Sequence, residues 1–202
     1  MHTPQSPTGH PRPGRRAFII GACSGALLLT ACAPDNSLAA QARDGGNKNY
    51  IAGDGSVSEF TPGSRGEPVE LSGQLYDGKT VESADWRGKV VVLNFWYAAC
   101  TPCRVEAPAL EELHQEFKDQ DVLFYGVNLR DSPATAAAFE RSFGTTYPSF
   151  DSESGILLAL ASYVPPQSVP TTLVLDRKTR VSARILGVAD KGTLKALISD
   201  VT

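Results

Sequence analysis

The chain has 202 residues, 42% of them hydrophobic, and a formal net charge of −3, enough for one domain with a real core plus appendages. The first 31 residues hold three arginines and no acid, so the remainder carries 16 basic against 22 acidic residues, a balance that gives nucleic acid no purchase. Of three histidines only His114 lies beyond that leader, and chemistry needing two or more histidines has almost no room.

Residues 1–31 read as an export signal. Arg15-Arg16 form a charged n-region, and Ala17 to Ala31 is a 15-residue apolar stretch rich in Ala, Gly and Leu. A membrane-spanning helix needs roughly 20 apolar residues, so this length suits the h-region of a signal peptide. Leu29-Thr30-Ala31-Cys32 resembles a bacterial lipobox, making Cys32 the expected lipid-bearing new N-terminus; Cys23, behind Ile20-Gly21-Ala22, is a poorer and earlier candidate. Gly14-Arg15-Arg16-Ala17-Phe18-Ile19 resembles a twin-arginine motif without the usual Ser or Thr before the arginines, so both export routes stay open. Residues 32–65 are rich in Gly, Asn, Asp, Ser and Ala with little periodicity, as expected of a flexible tether. No helix or strand is expected there.

The folded body is expected over 66–202. Val69-Glu70-Leu71 and Thr80-Val81 flank Leu75-Tyr76-Asp77-Gly78, in which Asp-Gly signals a hairpin. Val90 to Trp96 is a strand-length run with no polar alternation at most of its positions, the pattern of a strand buried on both faces. A small-residue turn leads into Cys100-Thr101-Pro102-Cys103 and a helix bearing Val105, Leu110, Leu113 and Phe117, with Pro108 inside it and a kink expected there. Val122 to Val127 is a second buried strand, and Asp131-Ser132-Pro133 opens an Ala-rich helix to Phe143. A short helix follows over 155–163, then strands Thr171 to Leu175 and Val181 to Leu186, and a final helix from Gly192 or Thr193 carrying Leu194, Leu197, Ile198 and Val201. The order is that of a single α/β layer domain.

Cys23 and Cys32 belong to the leader region, which leaves Cys100 and Cys103 as one close pair. That is too little for a disulfide scaffold and typical of a working dithiol. At a strand-to-helix junction the free N–H groups and positive end of the helix dipole stabilise a thiolate. Cys100 is expected exposed at the helix start as the attacking thiolate, and Cys103, one turn on and more buried, as the thiol that resolves the mixed disulfide. Zinc needs about four ligands, and the body offers two cysteines and a distant histidine; haem attachment needs a histidine after the second cysteine, where Arg104 stands. No metal or cofactor is therefore expected. The Thr-x-x-Cys loop of a peroxiredoxin and the wider spacing of a copper-delivery protein are both missing. A purely structural disulfide is the plain alternative. Trp96 reads as core, Trp86 as a turn anchor, and His114 as a solvent-facing helical residue.

The segment Asn94-Phe95-Trp96-Tyr97-Ala98-Ala99-Cys100-Thr101-Pro102-Cys103-Arg104-Val105-Glu106-Ala107-Pro108 resembles the active-site segment of the thioredoxin superfamily, and most nearly the membrane-tethered TlpA/ResA-like thiol–disulfide oxidoreductases. Tyr147-Pro148-Ser149-Phe150-Asp151 and Val169-Pro170-Thr171-Thr172 extend the resemblance over about 67–202. It implies a thioredoxin-like fold: a central mixed β-sheet flanked by helices, with an N-terminal β-hairpin and an inserted helix. It also implies a redox-active Cys100–Cys103 disulfide, a cis-proline at Pro170 with Val169 offering backbone to an extended substrate, and Glu106 as an acid moving a proton on or off Cys103. Asn94 agrees with the TlpA-like branch, whereas Ala99 stands where most relatives have tryptophan. The implied partners are protein thiols and disulfides, apocytochrome c among them, and a membrane electron donor; the implied place is outside the cytoplasm, lipid-anchored to the membrane. Reductant is the direction the resemblance favours. A disulfide donor for secreted proteins and a non-enzymatic lipoprotein binding module with a structural disulfide are the alternatives.

Overall fold

The computed structural model describes residues 53–202; the expected signal at 1–31, the lipid site Cys32 and the tether as far as residue 52 lie outside the described residues. The sheet is built on Val90–Trp96, strand β4, in which every residue is buried. Successive side chains of a strand face opposite ways, so Val91, Leu93 and Phe95 enter one core cluster while Val90 and Val92 enter another. On one side β4 pairs in parallel with β5 (Val122–Asn128), on the other antiparallel with β7 (Thr171–Leu175). Strand β8 (Val181–Leu186) runs antiparallel to β7, and β6 (Ser149–Phe150) adds to β5 in parallel. With β1 (Ser56–Glu59) the order is β1-β8-β7-β4-β5-β6, and β2 (Ser72–Gln74) and β3 (Thr80–Glu82) form a separate antiparallel hairpin.

Strand β1 corrects the expected tether. Its residues pair with Leu186 to Ala183 of β8, and Phe60 N–H continues the contact by donating to Ser182 O at 2.8 Å. The stretch Ser-Val-Ser-Glu lacks the apolar alternation of a half-buried strand because it is an edge held by backbone hydrogen bonds, with little side-chain burial. The first hairpin strand also lies three residues later than expected. Val69 is buried and Leu71 half-buried, but they pack against the body: Val69 N–H donates to Thr179 O, and the ladder begins only at Ser72.

Helix α1 (Thr101–Phe117) continues without interruption through Pro108, and its Leu110, Leu113 and Phe117 pack with Leu194, Leu197 and Ile198 of α4 (Lys191–Ser199). Ion pairs Lys191–Glu112 and Lys195–Glu116 run along the same junction. The inserted helix is α2 (Pro133–Phe143), opened by Ser132, whose hydroxyl accepts Thr135 N–H, and closed by Gly144 at φ 69°, the left-handed position that favours glycine. The opposite face of the sheet is covered by the hairpin, a single 3-10 turn at Ser83–Trp86 and the short α3 (Ile156–Ala159). Trp86 is fully buried there, 5.6 Å from the Tyr125 ring and 6.4 Å from that of Phe150. This is the mixed sheet, N-terminal hairpin and inserted helix that the thioredoxin-like resemblance implied.

One buried carboxylate ties the segment before the hairpin to the β7–β8 turn. Asp176 Oδ2 accepts from Arg65 at 2.8 Å and from Arg180 at 2.8 Å. Burial alone would raise its pKa, but the Arg180 N–H and the two guanidinium groups outweigh it and hold the carboxyl below its ordinary value. A depressed carboxyl pKa contributes stability above the unfolded-state value, and that stability disappears as pH falls through the folded-state value. Asp176→Ala is expected to cost about 2 kcal/mol at neutral pH, the worth of hydrogen bonds to a charged group. It should also flatten the acid limb of a stability-against-pH curve measured by denaturant unfolding.

Candidate active site

Strand β4, interior to the sheet, ends at Trp96, and Tyr97 to Ala99 turn the chain into α1. Cys100 N–H donates to Tyr97 O at 3.1 Å, closing that turn. Cys100 is the N-cap of α1, and its Sγ accepts the Cys103 N–H at 3.2 Å. Pro102 occupies the first helical turn, where its missing N–H costs no hydrogen bond. Cys100 and Cys103 form a disulfide with their Cα atoms 5.3 Å apart. A sulfur held at a helix start, facing an N–H that has no acceptor within the helix, is where a thiolate is favoured.

Both sulfurs are enclosed, which corrects the expectation of an exposed Cys100. Cys100 is 0% and Cys103 2% exposed, within a cluster of Trp96, Tyr97, Ala107, Ala136, Phe139 and Val169. In the bridged state the Cys100 sulfur turns inward onto its partner and the helix N–H. The exposed positions around it are Ala99 and Thr101. Trp96 is core, as expected, with its ring 4.3 Å from that of Phe139.

The remaining expected site residues converge from three elements. Val169–Pro170 is a cis peptide bond, and Val169 is buried against the disulfide cluster. Pro170 O accepts Gly187 N–H at 2.8 Å, which ties this loop to the end of β8. Glu106, on the helical stripe that continues as Leu110 and Leu113, is 1% exposed. Its Oε1 accepts from Asn94 Nδ2 at 2.7 Å and its Oε2 from Ala189 N–H at 2.9 Å. Asn94 also donates to Thr172 Oγ1 at 3.1 Å, so one amide joins β4, β7 and the helix. Burial pushes the Glu106 carboxyl from 4.5 up to about 8, against the opposing pull of the Ala189 and Asn94 donors.

Two residues sit differently from expectation or were missed. His114 is half-buried, its ring 5.5 Å from Phe124 and 5.7 Å from Tyr147, and burial lowers its pKa. It belongs to the packing of α1 on β5. Asp131 is outside the helix cap, which Ser132 supplies, and its carboxylate turns back to the Ala98 N–H at 2.6 Å. An Asn-x-x-Asp spacing at the end of a buried strand, Asn128 to Asp131, was the available signal. Among the described residues, no group of three or more His, Cys, Asp or Glu is placed to hold a metal ion.

A disulfide capping the helix that follows a buried parallel strand, with a cis-proline loop against it, defines a thiol–disulfide oxidoreductase of thioredoxin-like fold. The profile of the AhpC/TSA family matches residues 65–184, more than half of the chain, and the protein belongs to that family. The thiol-disulfide oxidoreductase ResA of Oceanobacillus iheyensis is 26% identical over 201 residues, 100% of this chain and 97% of that protein. ResA of Geobacillus thermodenitrificans is 32% identical over 126 residues, 62% of this chain and 70% of that one. Among solved structures, a DsbF homologue from Corynebacterium diphtheriae superposes with a TM-score of 0.66 at 33% identity, covering 73% of this chain and 94% of its own. A secreted thiol-disulfide isomerase from Corynebacterium glutamicum gives 0.67 at 26%, covering 75% and 95%.

The Glu106 geometry has a direct consequence. Asn94 donates to the charged form, so Asn94→Ala should raise the Glu106 midpoint further above about 8. Carboxyl infrared titration of the oxidised protein, with Glu106→Gln identifying the band, measures it.

Proposed function

We propose that the protein is an extracytoplasmic reductant of disulfides in exported proteins, with Cys100 and Cys103 as its reacting pair. The observation that carries the reading is the Cys100–Cys103 disulfide at the start of α1, with the Cys100 sulfur already accepting a helix N–H. In the dithiol form the Cys100 thiolate attacks one sulfur of a substrate disulfide; a mixed disulfide forms and the other substrate sulfur leaves and takes a proton. Cys103 then loses its proton and attacks the Cys100 sulfur, releasing the second substrate thiol. The substrate gains two electrons and two protons, and the enzyme is left in the bridged form. Glu106, buried one turn beyond Cys103, exchanges the Cys103 proton, and the Val169–Pro170 loop receives the extended substrate chain.

The domain spans 66–202 together with its edge strand β1, behind a signal at 1–31 and a lipid on Cys32. ResA and a secreted isomerase among the similar proteins support placement outside the cytoplasm. None of the described residues forms a helix long and apolar enough to cross a membrane. In this reading a lipid anchor holds the domain beside a membrane electron donor, which reduces the disulfide, and apocytochrome c is one class of substrate. A second reading, a donor of disulfides to newly secreted chains, is favoured by the likeness to the secreted isomerase.

Equilibration with glutathione buffers separates the two. A potential near about −270 mV, that of thioredoxin, is expected for the reductant, and one near about −120 mV would instead make the protein a disulfide donor. Cys100→Ala should abolish insulin reduction by dithiothreitol-recharged enzyme, and Cys103→Ala should accumulate mixed disulfides. Unchanged turnover in Cys100→Ala would remove the enzymatic reading.

A further inference from the structure

We propose that Asp131 is a positioning residue for the redox turn, working with Arg104 to grip the two peptide groups on either side of the Ala98 Cα. Ala98 lies two residues before Cys100, where the chain has left the β4 ladder and has not entered α1. Its N–H and C=O therefore have no partner in regular structure, and two side chains supply them. The N–H donates to Asp131 Oδ2 at 2.6 Å, and the carbonyl accepts from Arg104 Nε at 2.8 Å. One jaw comes from the end of β5, the other from the first turn of α1.

The Asp131 jaw is itself braced. Asn128 Nδ2 donates to the same Oδ2 at 2.9 Å, while Asn128 Oδ1 accepts the N–H groups of Arg130 at 3.0 Å and Asp131 at 2.8 Å. The Tyr76 hydroxyl, in the β2–β3 hairpin turn, donates to Asp131 O at 3.0 Å. The Arg130 guanidinium lies 4.1 Å over the Tyr97 ring, the first residue of the turn being held. The charged groups that touch the turn are Asp131, Arg104 and Arg130, and Glu106 is buried one helical turn after Cys103.

The clamp matters differently in the two redox states. While the disulfide is closed, its small ring fixes the Cys100 sulfur whatever the turn does. Once it opens, the turn alone keeps that sulfur against the Cys103 N–H. The grip on Ala98 therefore favours the dithiol form, and a stabilised reduced form makes a couple more oxidising. Charge acts with the opposite sign, since a carboxylate near a thiolate disfavours it. Positioning and charge can be told apart by direction.

The test is glutathione equilibrium and Cys100 thiol pKa, measured on the full chain and on Asp131→Ala, Asp131→Asn and Asn128→Ala. Asp131→Ala should shift the equilibrium about tenfold toward the disulfide, the order of one charge-assisted hydrogen bond, which is about 30 mV for a two-electron couple. It should raise the Cys100 pKa. Asp131→Asn keeps an oxygen that can accept the Ala98 N–H and loses only the charge, so it should stay near wild type or shift toward the dithiol, never toward the disulfide. A shift of Asp131→Ala toward the dithiol, a shift of Asp131→Asn toward the disulfide, or a lower melting temperature with an unmoved equilibrium would each overturn the proposal. Should Asp131→Ala not fold, Asn128→Ala decides, because it keeps the charge and loosens the jaw: a shift toward the disulfide supports positioning, and no shift refutes it. The inference rests on Cys100 and Cys103 being the reacting pair. Wild-type protein that never equilibrates sinks that reading, whereas a normal wild type with an unmoved Asp131→Ala sinks only this one.

Discussion

The structure depends on a strand that cannot afford a polar face. All seven residues of β4 are buried, with neighbours hydrogen-bonded on both edges, so its position and register are fixed by two cores and two ladders at once. Register errors there would turn every side chain to the wrong side. Whatever follows β4 inherits that rigidity. The turn at Tyr97 to Ala99 and the cap at Cys100 are set against that support, which holds the Cys100 sulfur beside the Cys103 N–H.

Asn94 is the exception within β4, and it shows how the core tolerates the chemistry. Its side chain lies on the α1 face of the strand, where it donates to Glu106 and Thr172. A carboxyl buried as Glu106 is would be costly without partners. Two N–H donors from separate elements offset part of that cost but do not restore the solvation of water, and the group binds its proton more tightly for it. The sign for stability follows: a carboxyl with a raised folded-state pKa favours folding most fully below about 4.5, and this contribution is lost as pH rises toward about 8. The fold therefore gives up some stability at neutral pH to keep an ionisable group inside, the usual bargain at functional sites.

Much of this was legible in order along the chain. Strands β7 and β8 cover the expected residues: β7 is interior and buried throughout, and β8 keeps Val181, Ala183 and Ile185 buried on one face although Ser182 and Arg184 interrupt its apolar run. Helix α4 starts at Lys191, one residue before the expected Gly192, because Asp190 caps it. Strands β1 and β6 were illegible for a shared reason: they are edges, short and held by backbone, and a backbone ladder leaves no hydrophobic period to read. The cysteine pair was plain from spacing, whereas the enclosure of Cys100 was not, since it comes from Val169 and Phe139, distant in sequence. Asp131 was hidden by its neighbours. Asp-Ser-Pro reads as one capping motif, and only the folded chain divides it, with Ser132 serving α2 and Asp131 facing back toward Ala98.

Glu106 and the Ala98 clamp act on different members of the proposed pair. In the proposed cycle the clamp bears on Cys100, by keeping its sulfur beside the Cys103 N–H, and Glu106, 1% exposed, is the group assigned the Cys103 proton. With a carboxyl pKa near 8 in the bridged state, Glu106 is mostly protonated at neutral pH. That suits recharging, in which Cys103 leaves as a thiolate and needs a proton. The forward step requires the reverse, a base able to take the Cys103 proton, so it draws on the ionised minority of Glu106. In the proposed cycle the same buried acid eases one half more than the other, and the balance moves as pH rises through its midpoint. An enzyme reduced by one partner and oxidised by another uses both halves, and a midpoint close to neutrality is the setting at which neither is shut off.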